Sequence, residues 1–72
     1  MKEEEFLSKL GQRIRKLRNE KSWTLFDLST LTDIDTSDLS KLELGYINST
    51  IFTLYKISQA FGITVSKLLD FK

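Results

Sequence analysis

Seventy-two residues with 40% hydrophobic and 29% charged side chains describe one small globular domain, not a disordered segment. The chain has no cysteine and no histidine, which excludes disulfides, the usual zinc and haem ligands, Ser-His-Asp triads and Cys-His nucleophiles. Eleven basic against ten acidic side chains leave a net charge of +1, so affinity for a polyanion must come from the placement of charge, not its sum.

The amino end, Met1-Lys2-Glu3-Glu4-Glu5, is charged and leads into no apolar core segment, so no secretory leader is expected. No apolar run approaches the roughly 20 residues of a bilayer span. The expectation is a cytoplasmic protein with no membrane association, a single domain over 1–72, and neither cofactor nor metal.

Phe6, Leu10, Ile14 and Leu17 form one stripe of an amphipathic helix over about 4–21. Its acidic start and basic end suit the helix dipole. Gly11 lies inside it at a cost of about 1 kcal/mol relative to alanine, which suggests that another helix packs closely there. Thr24 has the character of an N-cap, with Asp27 completing a capping box and Trp23 placed to staple onto Leu28. Leu25, Leu28 and Leu31 then mark a second helix over 24–31. Asp33 suits a left-handed turn residue, and Asp35 a cap for a third helix over 35–43 carrying Leu39 and Leu42. Gly45 stops it. Thr50 caps a fourth helix over 50–61 with Ile51, Leu54, Ile57 and Phe61, ending at Gly62, and Thr64 caps a last one over 64–70 with Leu68 and Leu69. No segment alternates as a strand does. The predicted fold class is all-α, a compact bundle of five short helices.

Helices two and three, joined by a turn of about four residues, follow the helix-turn-helix plan. The order Leu10-Gly11-Gln12-Arg13-Ile14-Arg15-Lys16-Leu17-Arg18, Leu28-Ser29, Leu39-Ser40-Lys41-Leu42-Glu43-Leu44-Gly45 and Leu54-Tyr55-Lys56-Ile57-Ser58-Gln59-Ala60-Phe61-Gly62-Ile63-Thr64, with Leu68-Leu69 behind it, resembles the lambda-repressor-like, XRE-type helix-turn-helix DNA-binding domain. The resemblance covers nearly the whole chain. It implies a sequence-specific regulator of transcription that binds double-stranded DNA.

A major groove about 12 Å wide admits one α-helix, whose first turn meets base edges. By that geometry and by the resemblance, Thr36, Ser37, Ser40 and Lys41 are the candidate base contacts. Arg13, Lys16, Thr24, Tyr46 and Asn48 are the candidate phosphate contacts. The resemblance further implies a structural pair between Arg18 and Glu43 that ties helix one to helix three. Residues 9–21 hold six cations against the single acid Glu20, whereas residues 23–50 hold five acids against Lys41. The chain departs from the family pattern at Leu25, where a glutamine is frequent, at Tyr46 and Ile47, where a basic loop is common, and at Ser49, in place of a proline.

One such module buries little surface on DNA, so a homodimer is expected, with Val65, Leu68, Leu69 and Phe71 as its candidate interface; closure of the monomer's own core is the other use for these residues. The alternative function is a protein-interaction module on the same scaffold, such as an antitoxin-type component with a protein partner and secondary DNA binding. The acidic 27–43 stretch and the apolar Leu25, Phe26, Tyr46 and Ile47 motivate it. No enzyme is expected, because nothing in the four acids between 27 and 38 suggests a pocket that would raise a carboxyl pKa.

Overall fold

Each of the first four helices stops at a residue with left-handed backbone, and these stops set the whole layout. In the computed structural model, which describes residues 1–71, the order is α1 (Glu3–Glu20), α2 (Leu25–Thr32), α3 (Thr36–Glu43), α4 (Ile51–Phe61) and α5 (Val65–Leu68). The last position of the expected 1–72 domain lies outside the described residues. The left-handed residues are Ser22, Asp33, Gly45 and Gly62. At three of them the paired hydrogen bonds of a Schellman motif close the helix end. Trp23 and Ser22 donate to the Arg18 and Asn19 carbonyls, Tyr46 and Gly45 to those of Lys41 and Leu42, and Ile63 and Gly62 to those of Ser58 and Gln59. Asp33 closes α2 with one bond to the Ser29 carbonyl.

The helix starts follow the sequence with one exception. Thr24, Thr50 and Thr64 each accept a hydrogen bond from the amide three residues on, and the Asp27 carboxylate completes the box by accepting from the Thr24 amide at 2.8 Å. Asp35 occupies the cap position of α3 but its side chain makes no capping bond. The turn between α2 and α3 is only Asp33-Ile34-Asp35. Helix α5 ends at Leu68, short of the expected 70.

The core gathers Leu10 and Ile14 of α1, Leu28 of α2, Leu39 and Leu42 of α3, Leu54, Ile57 and Phe61 of α4, and Leu68 of α5. Burying nine such side chains contributes about 1.5–3 kcal/mol each before chain entropy is charged against it. Trp23 packs against this core, which includes Leu28, and stacks on Phe61 of α4 at 5.5 Å between centroids. Three of the expected stripe positions miss the core, Phe6 at the start of α1 being one. Leu31 and Ile51 are exposed, because the buried stripes are Leu28 and Thr32 in α2, and Leu54, Ile57, Ser58 and Phe61 in α4. Thr32 and Ser58 tolerate burial because their hydroxyls donate to the Leu28 and Tyr55 carbonyls of their own helices.

Ser22 is the non-glycine Schellman residue that carries a Cβ at φ 58 on an exposed surface. The left-handed region costs an L-residue roughly 1–2 kcal/mol, partly offset by the greater unfolded freedom of glycine. Ser22→Gly is therefore expected to raise stability by about 0.5–1 kcal/mol, read as a higher urea midpoint at unchanged m-value; a lower midpoint would contradict this account of the turn.

Candidate nucleic-acid interface

The position of α3 is fixed from behind by α1. A Cβ on Gly11 would fall on the backbone carbonyls of Leu42 and Glu43, so only a residue without one lets α1 lie against the end of α3. Beside this contact the Glu43 side chain is 1% exposed and held by two arginines. Arg18 donates through Nε to Oε2 at 2.7 Å and through Nη2 to Oε1 at 3.1 Å, and its Nη1 reaches the Trp23 carbonyl at 2.8 Å. Arg15 adds a bond from Nε to Oε1 at 3.3 Å. The hydrogen bonds to Glu43 and its negative charge raise the Arg18 pKa further above its ordinary value, against the opposing effect of burial. Buried pairs of this kind position elements more than they add net stability. The Arg18–Glu43 tie thus stands as expected, and Arg15 is a second partner that sequence reasoning missed.

With its last turn pinned, α3 presents its other side outward. Leu39 and Leu42 face the core; Thr36, Ser37 and Lys41 are exposed and Ser40 is half-exposed. The i, i+4 spacing of Thr36 with Ser40 and of Ser37 with Lys41 places these four on one side of the helix. The structure brings the candidate base contacts together as one polar surface. Asp38 is also exposed beside them.

The candidate phosphate contacts are more scattered. Arg13 donates from Nη2 to the Lys67 carbonyl at 3.1 Å, tying α1 to α5, and Asn48 donates from Nδ2 to Glu3 at 3.1 Å. The Thr24 hydroxyl is committed to the Asp27 amide, and the Asp27 carboxylate holds the start of α2 where a phosphate would otherwise be welcome. Lys16 and Tyr46 are exposed, and among the described residues neither side chain makes an ion pair or hydrogen bond. Lys16 lines a shallow basic depression with Lys9, Gln12, Arg13, Asp70 and Phe71, at the α5 end of the molecule. Much of the cationic surface of α1 is therefore used internally: Lys9 pairs with Glu5 at 3.4 Å, Arg15 and Arg18 with Glu43, and Lys21 lies over the Trp23 ring.

One of the expected dimer residues, Leu68, needs correction. Leu68 is fully buried and Leu69 and Phe71 pack against the core, Phe71 pairing with Phe6 at 5.3 Å. A side chain with no exposed surface cannot form a subunit contact, so Leu68 belongs to the monomer's own core; Leu69 and Phe71 touch that core while keeping part of their surface exposed, and Val65 lies outside it, half-exposed.

Five helices with a tight turn between α2 and α3, and a polar outer face on α3, define a helix-turn-helix domain. The chain matches the family described as "Helix-turn-helix domain" over residues 11–71 and belongs to it, as an XRE-type, lambda-repressor-like member. It is 39% identical over 62 residues to the HTH-type transcriptional regulator DdrOP3 of Deinococcus deserti, covering 86% of this chain and 48% of that protein; the chain thus spans about half the length of this relative. Its fold is similar to the restriction-modification controller protein C.AhdI of Aeromonas hydrophila, with TM-score 0.83, 32% identity and coverage of 86% and 94% of the two chains. It is also similar to the controller C.Esp1396I, solved as a tetramer in complex with its natural 35 base-pair operator, with TM-score 0.76, 28% identity and coverage of 89% and 93%.

Two substitutions test the α1–α3 seam. Arg18→Lys replaces a three-armed contact with a point charge and is expected to cost about 1–3 kcal/mol in urea unfolding. Gly11→Ala must push α1 off the end of α3 and is expected to destabilise by a comparable amount, although alanine favours helix by about 1 kcal/mol; a stabilised Gly11→Ala variant would show that the seam is loose.

Proposed function

We propose that the chain is a double-stranded DNA-binding module of a transcriptional regulator, that α3 lies in the major groove, and that two copies act together on adjacent half-sites. The observation that carries this reading is the outward polar face of Thr36, Ser37, Ser40 and Lys41 on a helix whose opposite end is locked by Glu43. Membership of a family whose relatives include transcriptional regulators, and a similar fold solved on its operator, support it. Lys41 suits a guanine edge, whereas the short hydroxyls discriminate weakly. Lys16 and Tyr46 are the phosphate contacts free to act without breaking an internal bond; Arg13, Thr24 and Asn48 would first have to leave Lys67, Asp27 and Glu3.

A second reading, a protein-interaction module, rests on the outer side of α2. There exposed Phe26 and Leu31 line a groove with Trp23, Asp27 and Thr30. A stoichiometric protein partner bound by a chain without duplex affinity would favour it.

The discriminating experiment is a salt-titrated binding assay on random and selected duplexes. Lys41→Ala is expected to lose about 1–3 kcal/mol on the preferred site and to flatten the preference. Lys16→Ala should weaken all duplexes alike and lower the salt slope by about one unit. Salt slopes unmoved by both substitutions would contradict this docking.

A further inference from the structure

We infer that Asp38 determines base specificity, forming with Lys41 an acceptor–donor couple matched to a cytosine–guanine pair. The inference rests on the major-groove reading above and names the base chemistry which that reading leaves open. Both side chains are exposed, and Asp38 stands three residues before Lys41 in α3, away from the buried Leu39 and Leu42. Side chains so spaced are neighbours on a helix surface, about 5–6 Å apart at Cβ. Yet among the described residues Asp38 accepts no side-chain capping bond and forms no ion pair, with Lys41 or with any other cation.

Asp27 provides the contrast. It and Asp38 occupy the same third position, in α2 and α3 respectively. Asp27 folds back to accept from the Thr24 amide at 2.8 Å, where a neutral threonine caps the helix. The cap residue of α3 is Asp35, whose carboxylate meets a returning Asp38 as a like charge. Neither acid of α3 makes the local bond that ties up Asp27. Asp38 therefore keeps its acceptor oxygens in solvent, next to Ser37 and Lys41 on the polar surface.

A carboxylate brought into the groove of a polyanion is repelled unless it meets a donor there. Guanine offers N7 and O6, both acceptors, and thymine offers the acceptor O4; cytosine offers the N4 amino group. Adenine also has an amino donor, but its N7 acceptor lies beside it and faces a carboxylate badly. Lysine seeks guanine O6 and N7, and cytosine N4 adjoins that O6 across the same pair. The order Asp38 then Lys41 along α3 thus fits the two halves of one cytosine–guanine pair, or the same two bases on stacked neighbours. Asp38 acts by exclusion, lowering affinity for every duplex and least for one that sets cytosine opposite it.

The test is selection of duplexes from a randomised pool by the wild type, Asp38→Ala, Asp38→Asn and Lys41→Ala, followed by titration on selected and random duplexes at one low salt concentration. The pair at which Lys41→Ala loses guanine marks the place. There, or at the adjacent pair, the wild type is expected to prefer cytosine about tenfold and Asp38→Ala to lose that preference. Asp38→Asn gains an amide donor and is expected to turn the preference toward adenine. On random duplexes Asp38→Ala should bind about threefold tighter than the wild type, the opposite direction from Lys41→Ala. Both positions are exposed, so circular dichroism should be unchanged. An Asp38→Ala protein that selects the wild-type bases, or binds random duplexes no tighter, would overturn the proposal. So would a lower urea midpoint with unaltered selection, which would leave Asp38 only a partner of the helix dipole. If Lys16→Ala and Lys41→Ala weaken binding while Asp38→Ala changes nothing, the docking of α3 stands and this assignment falls. A wild type that binds no duplex removes both.

Discussion

One buried carboxylate organises this molecule. Glu43 ends α3, has almost no solvent exposure, and is satisfied only because Arg18 and Arg15 descend on it from α1. A lone ionised carboxylate in that position would cost several kcal/mol, so α1 and α3 cannot separate without exposing an expensive charge. Gly11 makes the same demand sterically, since its missing Cβ admits the Leu42 and Glu43 carbonyls. Charge and shape act at one seam. Together they hold the carboxyl end of α3 still, leaving its opposite face unobstructed.

This arrangement also explains an oddity of the charge pattern. The cationic surface of α1 suggests a broad grip on a polyanion, but Arg15 and Arg18 are spent neutralising Glu43, Lys9 answers Glu5, and Arg13 reaches the Lys67 carbonyl. The acidic stretch is softened in turn, because Glu43 is paired and Asp27 is bound into the start of α2. Counting formal charges by segment overstated both the attraction of α1 and the repulsion of α2 and α3. What remains outward is modest: Lys16 on α1 and Lys41 on α3, with Asp33, Asp35 and Asp38 exposed in or just before the first turn of α3.

How much of this was legible in the sequence follows from the range of each interaction. Caps and stops are local, so Thr24 with Asp27, Thr50, Thr64, Asp33, Gly45 and Gly62 could be read from residue type and spacing. Ser22 could not, because serine does not announce a left-handed backbone as glycine does. Helical phase was legible in α1 from Leu10 onward but misplaced Phe6, Leu31 and Ile51, since an eight-residue helix or a first turn gives periodicity too few points to fix its face. Thr32 and Ser58 escaped notice because their burial depends on hydroxyls that bond within their own helices. Of the site, the outward polar set on α3 followed from the alternation with Leu39 and Leu42. The Arg18–Glu43 tie came from family resemblance, and no spacing rule would have paired residues so far apart. The carboxyl-terminal apolar residues fitted either a subunit contact or the monomer core, and packing assigns Leu68 to the core.

The claim on which the account turns is that the exposed side of α3 meets duplex DNA while the α1–α3 seam stays closed. Backbone amide chemical shifts during titration with a selected duplex at low salt test it most directly. The account predicts that the largest changes fall on Thr36, Ser37, Ser40 and Lys41, with Tyr46 beside them, while Gly11 and Glu43 move little. Changes confined to Phe26 and Leu31 on α2, or no change at saturating duplex, would contradict it.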